Sequence, residues 1–513
     1  MDKSTSHSLN ILLFALLTGI VADVFLRGGG GFGFTMTIIF GISAFYAVAL
    51  RTPGYKMTAD THAFALAGFF FALTLSIRAS EPLQALNMLA IIVAAVLVAQ
   101  PAITKSVRKG GIFWSCWAFL VTGTSVAFAP IWTLASDISW PGVTKGKVPN
   151  QVLKFALGLA IGIPLVMIVG ALLVSADKSF EKFVSGLINI DELFGHLVLT
   201  GVFAWITTGY LRVSTVGAKT SAFPKANLAD PEAISDAAHG LNVVVPKEDF
   251  EAISRFRLGL TEISVVLVLL SVVLGAFVVF QIPYLFGGME LVQNTPGVKL
   301  AEYARRGVGE LMNVSLIVLT VLIASRALLR RESAKTVLAY RIISAILVGL
   351  LFVVMASATQ RVLLLTGSLG YGLTGFRFNA VFLLIWLTMV YSWFLITEFT
   401  SKPHRFLYGA VWSGFLVIAA INVINPDDFI ARRNIALYEA GRPFDFNYHS
   451  TLSADATEAL IEGGLRQKAL GKNTMLESVP GNCTLDNDFR GWNLARENAR
   501  KLKIRYGLCG GGR

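Results

Sequence analysis

Long apolar runs separated by short polar linkers dominate the first 424 residues of the chain. A helix that crosses about 30 Å of hydrocarbon needs about 20 mostly apolar residues. Runs of that kind cover 9–26, 32–50, 62–78, 83–99, 152–174, 193–211, 260–284, 310–329, 337–358, 378–397 and 406–424. They predict an all-α, polytopic transmembrane helix bundle over 1–424. A further stretch, 112–135, is apolar on average but broken by Thr122, Thr124, Ser125 and Pro130. Past residue 424 the pattern turns polar. Asn425-Pro426-Asp427-Asp428 reads as a helix start, with an Asn cap, Pro at the first position and acids in the first turn. Gly441 is expected to end that helix, Ser453 to open a second that stops at Gly463, and Asp486–Tyr506 to carry a third. The segment 425–513 is thus expected to be a small helical domain outside the membrane. Between spans, 212–257 reads as a loop punctuated by Pro224, Pro231 and Pro246, with a short helix over 230–238 and a lead-in to the next span over 246–257.

Composition agrees with the pattern. Of the 513 residues 54% are hydrophobic and only 15% charged, whereas a soluble chain carries about 25% charged residues. That excludes a soluble protein of this size. The net charge of +12 points to basic loops beside anionic headgroups, not to nucleic acid, since no basic stretch interleaves with aromatics. The placement of that charge also bears on 112–135. If this stretch does not cross, Arg51 and Lys56, Lys105 to Lys147, Arg212 to Arg257, Arg326 to Lys335, and Lys402 with Arg405 all fall on one side. The positive-inside bias makes that side cytoplasmic. Trp114, Trp117, Trp132 and Trp140 also suit a segment lying in the interface or dipping in and returning. The expected topology has eleven spans, the N-terminus inside, the first span kept as a signal anchor and the tail outside. Twelve spans is the rival. The expected partners are the lipid bilayer and, through 212–257 and 425–513, other proteins.

Several motifs then resemble a known family. Gln281-Ile-Pro-Tyr-Leu-Phe-Gly-Gly288 and Glu302-Tyr303-Ala304-Arg305-Arg306-Gly307 are similar to a bacterial multi-pass family catalogued as a domain of unknown function. Ser175-Ala176-Asp177, Tyr371-Gly372-Leu373-Thr374 with Arg377, Asn425-Pro426-Asp427, and Ile430-Ala431-Arg432 with Asn434 resemble it as well. So do Leu452-Ser453-Ala454-Asp455-Ala456 and Trp492-Asn493-Leu494. The resemblance spans about 150–500, departs at Lys178 where the family has proline, and implies a bacterial inner membrane. It implies no activity.

Ionisable groups in or beside spans are expensive to keep there, so each is a candidate for ligand binding or an ion pathway. On the outer side of the expected topology these are Asp23 and Arg27, Asp177, His196, Glu302, Tyr303, Arg305, Arg306 and Arg377, with Arg78, Glu81, Glu310 and Arg361 nearby. Asp23 and Arg27 are four apart and can pair on a helix. The bland alternative is that such charges snorkel to headgroups or pair structurally. Glu262, in the first turn of the seventh span, reads either as a carrier of a proton or cation or as an acid favoured by the helix dipole. His196 reads as an interhelical hydrogen-bonding residue or as an acid–base group. The glycines at 367, 370, 372 and 375 allow either close approach to a ligand or to the tail, or a tight turn between spans. Cys483 and Cys509 form a disulfide candidate, since closing a loop of about 25 residues stabilises by roughly 3 kcal/mol.

The spacing of Cys and His suits no metal site, and no cofactor is expected. G-x-S-x-G, H-E-x-x-H and G-x-x-x-x-G-K-[ST] are missing from the sequence. Three functions stay open. The first is a non-enzymatic signalling or scaffolding membrane module. The second is a secondary transporter or ion-coupled carrier. The third is a membrane enzyme acting on lipid or envelope precursors.

Overall fold

The computed structural model describes residues 3–103, 107–143, 158, 162, 192–216, 258–286, 308–329, 333–366, 372–470, 474–480, 483 and 488–509. Among them every regular element is helical, apart from one isolated bridge between Leu258 and Leu329. The chain is a polytopic helical membrane protein. Eleven described helices are long and apolar enough to cross a membrane. They are α1 (Lys3–Leu26), α2 (Gly31–Arg51), α3 (Ala59–Ile77), α4 (Glu81–Ile103), α5 (Val107–Trp132), α6 (Glu192–Thr215), α7 (Leu260–Phe286), α8 (Val308–Leu328), α9 (Ala334–Thr366), α10 (Gly375–Phe399) and α11 (Phe406–Ile424). The tail adds α12 (Pro426–Glu439), α13 (Phe446–Ser450), α14 (Thr457–Ala469) and α15 (Leu494–Arg505).

These are not the eleven spans read from the sequence. Ten coincide, while of the expected span 152–174 only residues 158 and 162 are described, and the short helix over 230–238 and the lead-in over 246–257 lie outside the described residues. The eleventh is α5. The sequence predicts that 112–135 lies in the interface or dips in and returns without crossing; α5 is one continuous helix that a π-helical turn (Thr133–Asp137) extends. Length and apolarity alone would let it cross. Its contacts are specific. Near its start Ser115 bonds Gln100, three residues before the end of α4. Past its end the Ser139 hydroxyl meets Thr5, at the start of α1, and Asp137 pairs with Arg212 near the end of α6. Its middle meets α6 at Gly209, where a Cβ would collide with the backbone of Ser125 and Val126, and at Trp205, whose indole N–H donates to Ala127 O.

The chain divides into two compact units. The first holds α1–α4, α5 from Phe113, α6 and tail residues 488–497. Its centre is the antiparallel pair α1 and α6, which close up at Gly19, where a Cβ would collide with Thr200 O. Such small-residue contacts drive association where the solvent is itself apolar. The second unit holds α7–α14, Cys483 and tail residues 498–509. Leu267, Leu322, Tyr340, Leu351, Val354 and Leu387 form its fully buried core. Leu269, Val273 and Phe280 of α7 are more than 60% exposed, a face suited to lipid and not to water.

The tail adds the short helix α13, which the sequence pattern does not predict, and departs from the sequence reading at Asn425 and Gly463. α12 starts at Pro426 as expected, but Asn425 makes no side-chain cap; it takes a left-handed conformation (φ 59°) at the junction of α11 and α12. Asn tolerates that region better than most residues, so the chain turns there without a glycine. Gly463 does not end a helix either. Ser453 caps a 3-10 turn that leads into α14, which runs through Gly463 to Ala469. The glycine instead admits Ile435 of α12, which a Cβ would meet at 2.8 Å.

Candidate functional site

Helix ends leave backbone N–H and C=O groups without intrahelical partners, and in a membrane protein those groups need fixed partners nearby. The tail supplies them. In the first unit, Asn493 Nδ2 donates to Leu75 O (3.2 Å) and Arg78 O (2.9 Å), carbonyls in the last turn of α3 and at its C-cap. Its Oδ1 accepts from Arg496 N–H and so starts α15. Arg490 Nη1 donates to Val24 O, in the last turn of α1 (3.1 Å), while its guanidinium is held by Asp488 (Nε to Oδ1 2.7 Å). That guanidinium keeps the Asp488 carboxyl below its usual range. The tail can come so close because Gly28-Gly29-Gly30 form the turn between α1 and α2 and Gly31 opens α2. A Cβ at Gly28 or Gly30 would collide with Arg490 or Gly491, and one at Gly31 with Leu75 O. Phe25 and Phe32 meet Phe489 and Trp492 edge to face around this turn.

Beside that turn lies a charged cluster. Asp23 is 7% exposed, accepts from Arg27 Nε at 3.0 Å, and has His196 Nδ1 at 2.5 Å. The carboxylate can only accept, so the imidazole donates Nδ1–H to it. Gly195 leaves space for Arg27, whose Nη2 a Cβ would meet at 2.8 Å. The structure therefore brings together Asp23, Arg27 and His196 of the sequence candidates.

In the second unit the tail grips the turn ahead of α10. Asn434, 6% exposed on α12, accepts from Leu373 N–H (2.6 Å) and donates to Leu373 O (2.8 Å), reading both polar groups of one residue. The Tyr448 hydroxyl accepts from Gly375 N–H, at the start of α10, at 2.7 Å. Burial pushes that hydroxyl above the ordinary phenol range. Gly372 makes the grip feasible: its φ is +74°, and a Cβ would lie 3.0 Å from Asn434 Oδ1. Arg377 Nη1 donates back to Gly372 O, and Thr374 caps α10. Behind Asn434, His449 is 2% exposed and stacks on Phe444 at 4.0 Å between ring centres. Within the tail Asp427 accepts from Ser453 N–H, and Arg432 bridges Asp428 and Glu462. Cys483 and Cys509 are joined, with Cα atoms 5.6 Å apart.

The family-model comparison matches a domain of unknown function, DUF4153, over residues 65–463. The chain belongs to the DUF4153 family. No curated protein and no solved structure matches it. The geometry gives several residues of the sequence motifs a physical task. Asn434, Asn493 and Gly372 join tail to span ends, whereas Asp427, Ser453 and Asp455 tie tail segments together.

Other candidates fall elsewhere. Asp177, Glu302, Tyr303, Arg305 and Arg306 lie outside the described residues. Glu262 is exposed in the first turn of α7, and Arg377, in the first turn of α10, donates back to the turn ahead of it. Sequence reasoning missed His449 and Glu398. Glu398, 1% exposed at the end of α10, pairs with Arg326 of α8 at 2.5 Å. An acid in the last turn of an apolar run was a signal for it; His449, in a polar tail, carried none.

Proposed function

We propose that this DUF4153 protein is a non-enzymatic signalling or scaffolding module of a bacterial inner membrane. In it the tail segments of each unit are docked on the ends of that unit's own spans. The observation that carries the reading is that the tail's polar side chains complete helix termini of the spans: Val24, Leu75 and Arg78 carbonyls in one unit, Leu373 and Gly375 in the other. Side chains committed to fixed backbone partners hold a domain in place and leave little to bind a substrate. The sidedness of this reading is supported by the basic linkers and by α5. Its contacts near the start and past the end go to Gln100, Thr5 and Arg212, on the side of the first unit where α1 begins and α4 and α6 end. This supports a helix that stays at the inner surface, with the N-terminus cytoplasmic and the tail periplasmic. The free faces of the tail and the 212–257 loop would then carry the contacts with other proteins.

Asp23, Arg27 and His196 favour the carrier reading, because a buried acid with two titratable or basic partners is how ion-coupled sites are built. The packing between α1 and α6 opposes it. At Gly19 the two backbones are too close for a solute to pass between. The enzyme reading needs Asp177 or Glu302 within hydrogen-bond reach of His196, and both acids lie outside the described residues. Purified protein in proteoliposomes under an imposed pH gradient separates the first two. The module reading expects proton flux equal to that of protein-free vesicles, unchanged by Asp23→Asn. Flux above the control that Asp23→Asn abolishes would establish a carrier.

A further inference from the structure

His449 sits where the tail's hold on the spans is decided. Nδ1 lies 2.6 Å from Asp445 O, a carbonyl that can only accept, so Nδ1 carries the proton. Nε2 lies 3.0 Å from Asn434 Nδ2. That amide cannot be turned around, because Oδ1 accepts from Leu373 N–H and Nδ2 donates to Leu373 O. Nε2 must therefore be a bare acceptor, and the imidazole must be neutral. We infer that His449 is an acid-operated latch: a proton on Nε2 sets an N–H against the Asn434 N–H and frees the turn at Leu373 from the tail.

The surroundings favour the neutral ring. The imidazole is buried against Phe444, and burial holds its pKa below the ordinary 6.5. Asp445, at the N-cap of α13, pulls the other way with its charge and its backbone carbonyl. Tyr448 packs edge-on to the ring, and beyond it Asp427 and Arg377 act on Tyr448 with opposite sign. A histidine whose pKa is lowered by folding binds fewer protons folded than unfolded. Its contribution is complete above 6.5 and is lost as pH falls from 6.5 through the lower, folded value. The latch thus holds at neutral pH and opens in acid. It gives the docked module a trigger and rests on that reading for its biological meaning. Its chemistry is tested apart from partners, flux or sidedness.

Hydrogen exchange on the full chain in nanodiscs, corrected for the intrinsic pH dependence of exchange, reads it. Protection of 372–378 and 430–450 is expected to be constant above pH 7. Below pH 6.5 it should fall by up to about tenfold per pH unit, the limit for one proton. His449→Gln, neutral throughout and able to accept from Asn434, is expected to abolish that dependence. If this variant does not fold, the imidazole NMR resonances of the wild type decide instead, with a neutral Nδ1–H tautomer and a midpoint below 6.5 expected. Protection flat from pH 7.5 to 4.5, the same acid loss in His449→Gln, or a midpoint above 6.5 would each overturn the latch.

Discussion

Asn434→Ala should loosen the tail from the turn ahead of α10 more than any other single change in the tail. The amide makes three hydrogen bonds with buried partners: Leu373 N–H, Leu373 C=O and His449 Nε2. Truncating it leaves all three without partners, and an unsatisfied buried polar group costs about 1–3 kcal/mol. Because the three share one side chain their losses do not simply add, so about 3–5 kcal/mol of docking free energy is expected to go. Limited proteolysis in nanodiscs reads the effect. The junction after α11 and the 440–446 turn should become cleavable while helix content stays near wild type. Asn434→Asp is the informative partner, since it keeps the acceptor for Leu373 N–H but loses both donated bonds. Its cleavage rate is expected between those of wild type and Asn434→Ala.

The second large effect concerns Glu398 and Arg326. Both lie in the last turns of their helices, 1% and 7% exposed, paired at 2.5 Å. Desolvating two charges is costly, and removing one partner strands the other, typically at about 3–5 kcal/mol. Glu398→Ala is expected to lower the thermal midpoint by that equivalent. Glu398→Gln, which still offers an oxygen to Arg326, is expected to lower it less. The double replacement Glu398→Leu with Arg326→Met should recover most of the loss, because two apolar side chains remove the stranded charge. A double variant as unstable as Glu398→Ala would mean that the pair's partners elsewhere, not the pair, set the stability. Tyr340 and Tyr391 are fully buried in the same unit, and their hydroxyls donate to Leu322 O and Ser315 O. Neither should respond to a change at Glu398.

How much of this was readable beforehand depends on the physics of each element. The spans were legible because the hydrocarbon core demands length and apolarity of every crossing helix, a local property. Their ends were less so: 337–358 became Ala334–Thr366, because a helix continues wherever its backbone stays paired. α5 was the hard case. Its apolar composition and its polar interruptions pull in opposite directions, and its contacts with Gln100, Thr5 and Arg212 are set by the tertiary structure. In the tail, Asn-Pro-Asp-Asp placed the start of α12 correctly for a partly mistaken reason. Gly463 reads alike as a stop or as a packing position until Ile435 is beside it. Asp23 and Arg27 were legible from a four-residue spacing, and His196 joined them through tertiary packing. No local rule pairs Asn434 with a backbone 61 residues away, or Asn493 with the end of α3. Those contacts gather residues from separate stretches of sequence, and they carry the functional reading.

That reading stands on the tail lying outside the cell membrane. A single cysteine in place of exposed Glu462, with Cys116 replaced by serine and the native disulfide kept, settles it on intact cells with a membrane-impermeant maleimide. Labelling without permeabilisation is the expected result, while a cysteine replacing Lys56 in the same background should react only once the membrane is opened. The reverse pattern, Lys56 labelled from outside and Glu462 only after permeabilisation, would contradict the account.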